Sequence, residues 1–187
     1  MMKKTTIGAA IFAVGLSMVS GSAFAEWGTK VEDDAFSDSQ NAIMVGANEQ
    51  SDNGGAIIFD CSKDKLSVSY LEPMTNPKDV VDDIPFELVF RVDSNAAIKL
   101  NGKSAIRNKE YWGIVNNNAD ELKQLLAQLK QSKRRLLVGV RAIINDKKLS
   151  FSIGSTGSTN AVNTFVKACG IELPDTSAST TTSAKKA

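Results

Sequence analysis

The feature that most constrains this chain is a two-residue period in its apolar side chains. Leu66, Val68 and Tyr70 alternate with Ser67 and Ser69, and Phe86, Leu88, Phe90 and Val92 alternate with Glu87, Arg91 and Asp93, with Val89 as the exception. Successive side chains of an extended strand point to opposite faces, so this spacing predicts strands with one buried and one polar face. Gly54-Gly55 and Ser62 to Lys65 supply turns between such runs. The segment from Glu72 to Pro85 holds three of the four prolines and is expected to be a surface loop. Shorter strands are expected near Ala97 to Leu100 and Tyr111 to Val115. Leu136 to Ile144 and Leu149 to Ile153 form a hairpin around Asn145-Asp146.

Two segments change period. Leu122, Leu125, Leu126 and Leu129 form a helical stripe; Asn118 and Glu121 stand where a capping box would tie both to the helix start. Val162, Phe165, Val166 and Cys169 follow the same rule in a final helix, with Ser158 or Thr159 as its N-cap. The expected fold is α+β: mainly an antiparallel sheet or sandwich with two helices, closed by one disulfide.

The disulfide expectation depends on where the chain matures. Met1 to Lys4 form a positive start, Ile7 to Val19 an apolar stretch, and Ala23-Phe24-Ala25 a small-x-small cleavage pattern. This reads as a secretory signal over residues 1–25, too short to span a bilayer. In an oxidising compartment the only two cysteines, Cys61 and Cys169, read as a bridge. Ile57, Phe59 and Cys61 share one strand face and Cys169 lies on a helix stripe, so both sulfurs face inward. The rival is a redox or nucleophilic cysteine, but there is no CxxC and no base to serve it.

The remaining organisation is one domain over residues 26–174 and a disordered Ser/Thr/Ala/Lys tail over 175–187, which lacks large apolar residues. Losing Lys3 and Lys4 with the signal leaves acidic residues one ahead of basic ones, which disfavours a nucleic-acid partner. No later stretch approaches membrane length.

The chain has no histidine. That removes Ser-His-Asp and Cys-His chemistry, His-ligated zinc and the usual base near neutrality. A Ser-Lys pair using Ser67 or Ser104 lacks the SxxK spacing, and no GxSxG elbow exists. Glu32 to Asp38 concentrates carboxylates but lacks a calcium-loop pattern, so no metal or other cofactor is expected. Lys133-Arg134-Arg135 suits the C-terminus of a helix. Gly154, Ser155, Thr156, Gly157, Ser158 and Thr159 precede the last helix and could cradle an anion, although the lysine of a phosphate loop is missing. Trp27 and Trp112 could line a groove or serve the core.

Several of these stretches, namely Trp27, Asp34 to Asp38, Ile57 to Cys61, Leu66 to Leu71, Phe90 to Asp93, Leu137 to Arg141, Phe151 to Ser155 and Cys169-Gly170, follow a known order. From Trp27 to Gly170 the chain resembles the type VI secretion-associated VasI/TagO-like family of exported proteins. The resemblance implies a small periplasmic β-rich accessory module, with Cys61 and Cys169 matching the paired cysteines and no catalytic residues. The functional expectation is therefore a noncatalytic periplasmic accessory or binding protein, partnered by envelope or secretion-system proteins. A secreted small-ligand or anion binder and a histidine-free hydrolase are the alternatives, and an extracellular location the alternative address.

Overall fold

The computed structural model describes residues 26–33, 40–47, 55–62, 65–74, 76 and 80–175. The signal over 1–25, most of the acidic run Glu32 to Asp38 and nearly all of the tail lie outside these residues. Among the described residues nine strands form one antiparallel sheet: β1 (Trp27–Asp33), β2 (Gln40–Ala47), β3 (Ala56–Ser62), β4 (Lys65–Pro73), β5 (Pro85–Val92), β6 (Ile98–Ile106), β7 (Tyr111–Asn116), β8 (Arg135–Ala142) and β9 (Lys148–Gly154). Helix α1 (Ala119–Lys130) lies between β7 and β8, and α2 (Ser158–Ala168) follows β9. The antiparallel α+β architecture with two helices and one disulfide is the one the sequence patterns predict, with the strands in a single sheet.

The sheet order is β1-β2-β3-β4-β7-β6-β5-β8-β9. Four strands meander, the chain then passes three places along the sheet to β5, and β6 and β7 return to pair with β4. The alternation sets which face is covered. Ile57 and Phe59 of β3, Val68 of β4, Leu88 and Phe90 of β5, and Val138 of β8 are fully buried on one face. The helices complete this core: α1 turns Leu122, Leu125, Leu126 and Leu129 inward, and α2 adds Ala161, Val162 and Phe165.

The sheet curls around that core. The Trp27 amide donates to Thr156 O at 3.2 Å and the Trp27 indole to Gly154 O at 2.8 Å, so the outermost strands meet at one corner. From opposite halves of the sheet, the Tyr70 and Phe151 rings approach to 5.7 Å. Helix α2 is held against β1 by the Thr29 hydroxyl, which donates to Ala161 O at 2.8 Å. Cys61 and Cys169 are joined, with their Cα atoms 6.2 Å apart.

Three local expectations are corrected. Asn118 is the N-cap of α1, but its side chain makes no capping bond. Its amide donates instead to Asn116 Oδ1 at 2.9 Å, and Asn116 also donates to Asn101 O, so the turn is tied to β6 and not to Glu121. The N-cap of α2 is Gly157, at φ 86°, in place of Ser158 or Thr159. The chain enters α2 through a left-handed position that glycine adopts without steric cost. The sixth strand extends to Ile106, past the expected end at Leu100.

A tie that was not anticipated holds the connection from α1 to β8. Asp93, left-handed at φ 51°, accepts from the amides of Lys133, Arg134 and Arg135 at 2.8–2.9 Å and faces the Ser132 hydroxyl. Desolvation raises its carboxyl pKa, but the amide and hydroxyl bonds outweigh it and hold the group below the usual carboxylate range. The expected result is that Asp93→Asn, which keeps the left-handed backbone tolerable, costs about 1–2 kcal/mol at neutral pH. Because the folded pKa is depressed, this contribution is complete above the unfolded value near pH 4 and is lost as pH falls through the folded one. Urea unfolding of both proteins between pH 7 and pH 2 should show their difference shrinking in acid.

Candidate functional site

One end of the covered face is not filled by the helices. Phe86 of β5, Ser104 of β6 and Trp112 of β7 stand on that face, and Met74 and the 80–84 segment close around them. With Ile144 from the β8–β9 turn they bound an open cup of about 480 Å³. Phe86 and Trp112 form its aromatic wall, their ring centres 6.2 Å apart. The other lining residues among those described are Asn76, Val80, Val81 and Ile84. No lining residue among those described is titratable.

The cup keeps its shape because its polar backbone is paired. Ser104 accepts from the Ile84 amide at 2.9 Å and donates to Val81 O at 2.5 Å, so one buried hydroxyl pins the segment that forms the lip. The Asp83 amide donates to Ser104 O and the Ser104 amide to Ile84 O, both at 2.9 Å, extending the β5–β6 ladder by a step. Asp82 Oδ1 accepts from Ile106 and Asp83 pairs with Lys103 at 3.1 Å in solvent. Replacing Ser104 with Ala should release the lip and cost about 1–3 kcal/mol, because the Ile84 amide loses its partner. Hydrogen exchange should then rise at Val81 to Ile84 and stay unchanged in α1.

Large apolar residues are unusually exposed around this opening. Val81 is 63% and Ile144 67% accessible, Ile143 49% and Ile106 43%. Ile106 pairs with Trp112 across β6 and β7, and the Ile143 amide donates to Pro85 O. Single exposed aliphatics are ordinary, but grouped around a concavity they mark a surface that binds.

A second ionisable pair lies on β4. Tyr70 hydroxyl donates to Glu72 Oε1, two residues along on the same face of β4. Burial first, and the Glu72 carboxylate second, push the phenol far above its ordinary range. It stays protonated as a fixed donor.

The residues singled out from sequence fall elsewhere. Gly154 to Thr159 form the junction from β9 to α2, and many of their groups are occupied. Gly154 O and Thr156 O accept from Trp27, the Ser155 amide donates to Arg134 O, the Ser158 amide to Ser155 O and the Thr159 hydroxyl to Lys130 O. The Glu26 carboxylate lies against Gly154, a negative charge beside the proposed anion cradle. Cys61 and Cys169 form the disulfide. Trp27 is core at 2% exposure, whereas Trp112 lines the cup. Ser104, a candidate nucleophile by sequence, is the pin of the lip.

Sequence periodicity did place Phe86 and Trp112 on strands. It gave no sign that they adjoin, since β5 and β7 meet only through β6. The aliphatic pair Ile143-Ile144 beside a predicted turn was the available signal. Among the described residues no group of acidic or cysteine side chains is arranged to hold a metal ion, and no helix is long and apolar enough to cross a membrane. No protein-family model, curated protein or solved structure matches this chain.

Proposed function

We propose that this is a noncatalytic, exported binding protein that works through the apolar cup as an accessory of envelope or secretion-system assembly in the periplasm. The observation that carries the reading is the cup itself, with its aromatic wall, its pinned lip and the exposed aliphatics around it. Its size lies within the range of small-ligand sites, and mouths of curled sheets are a common place for them. The Cys61–Cys169 bridge fits an oxidising compartment. Among the described lining residues the one hydroxyl, that of Ser104, is committed to the lip, which supports binding over catalysis.

The test uses the mature protein and an anilinonaphthalene sulfonate probe. Saturable one-to-one binding, with energy transfer from tryptophan, is expected, and Ile144→Glu should weaken it while Leu137→Glu on the opposite sheet face should not. Binding that never saturates, or that ignores both substitutions, would remove the cup from the protein's function.

A further inference from the structure

The cup's lining says what kind of ligand part can enter it. Among the described lining residues, a group buried there meets apolar side chains and two polar ones. Ser104 is already both donor and acceptor to the lip, and solvent-exposed Asn76 is itself engaged. A carbonyl or amide placed inside would forfeit its bonds to water with no return, a penalty that excludes most polar ligands.

The same accounting applies at the mouth. A peptide docking as an added strand needs free main-chain donors and acceptors along an edge. Around this opening the amides of Met74, Asp83, Ile84, Ser104, Ile106 and Ile143 all donate within the protein. Pro73 and Pro85, at the adjoining strand ends, have no amide hydrogen to offer. A hydrocarbon chain asks for none of these bonds. It gains from every methylene it removes from water, and Val81 and Ile144 at the lip extend the apolar path outward.

Resting on the binding function proposed above, we infer that the cup takes the hydrocarbon tail of a single-chain amphiphile, with the polar head left in solvent at the Val81–Ile144 lip. The shared chemistry is the acyl or alkyl chain, whether carried by a free fatty acid or a lysophospholipid. No lining residue among those described is ionisable.

The experiment titrates the mature protein, by Trp112 fluorescence and calorimetry below micelle-forming concentrations, with saturated fatty acids and with alkylphosphocholines of eight to sixteen carbons. Affinity should rise about fourfold per added methylene, the increment of burying one CH₂, and level off once the cup is full. Both head groups should give the same slope; the tighter series then identifies the source of the chain. Ile144→Glu and Val81→Glu, at exposed positions that leave the core intact, should each weaken binding about tenfold or more, and Leu137→Glu should not. Affinity that follows the head group and ignores chain length overturns the inference, as does a slope that both lip substitutions leave unchanged. If the naphthalene probe binds one-to-one while the alkyl series is flat, the hydrocarbon assignment fails and the binding cup stands. If the probe also fails, both fall.

Discussion

Replacing Cys61 and Cys169 by serine is expected to lower the stability of the mature protein by about 4 kcal/mol, and its melting temperature by about 8–16 °C. The bridge spans 108 positions of sequence, so its removal frees a large loop in the unfolded chain, and the entropy regained there grows with the logarithm of loop length. The native state is ready to receive the bond. Phe59 and Cys61 are two residues apart on a strand, a step of roughly 6.7 Å; Phe165 and Cys169 are four apart along a helix, roughly 6 Å. The steps match, so the Phe59–Phe165 ring contact at 6.3 Å and the Cys61–Cys169 bridge form two rungs between β3 and α2.

The end of α2 is built to hold that alignment. The Cys169 amide donates to Phe165 O, continuing the helical ladder, and the chain then turns at Gly170 with φ 60°. The Ile171 amide returns to Val166 O and that of Gly170 to Lys167 O, so the last turn closes on itself while Ile171 packs back on the core. Chemical denaturation of the double-serine protein, with thermal melts of both forms with and without reductant, checks the expectation. Reductant should bring the native form close to the double-serine one. Equal stability of the two proteins would mean that the bridge carries none of the fold.

The parts legible in the sequence are those where one face is wet and the other dry. In β5 and β9 the polar positions reach solvent, so alternation identifies the strand, and the leucines of α1 do the same at helical spacing; β4 shows the alternation in sequence although its Ser69 is buried. Strand β6 looks shorter in the sequence than it is because two of its buried positions are Gly102 and Ser104, which carry no apolar signal. Strand order was also hidden. Nothing in the period of β4 says that its neighbour is β7, since that pairing is set by long-range packing. The cup suffers most from this. Its wall collects residues from near position 74, from 80–86, and from Ser104, Trp112 and Ile144, which no local pattern joins. Ile143 and Ile144 even read as the continuation of β8, whereas the strand ends at Ala142 and Ile144 turns to the lip.

Trp27→Ala is expected to cost about 3–5 kcal/mol, the range for removing a buried aromatic side chain from a packed site. Trp27 does more than fill space. Its ring covers Gly46 on β2, close enough that a β-carbon there would lie 2.5 Å from the ring, and its indole hydrogen bonds Gly154 at the end of β9. The side chain thus sits on β1, packs on β2 and reaches the far edge of the sheet. Three substitutions separate these roles. Trp27→Phe keeps much of the packing and forfeits the indole bond, so it should cost less than Ala, with hydrogen-exchange protection lost at the corner near Gly154 to Thr156. Gly46→Ala leaves Trp27 in place but overfills the contact, for about 1–3 kcal/mol. Combining Gly46→Ala with Trp27→Ala should recover part of the loss, since the added methyl enters space the indole has left; neighbouring sites are where additivity fails. Denaturant unfolding of the four proteins gives the coupling directly. A strictly additive double variant would show that Trp27 and Gly46 do not share the site, and that the corner where β1 meets β9 is held by something other than this ring.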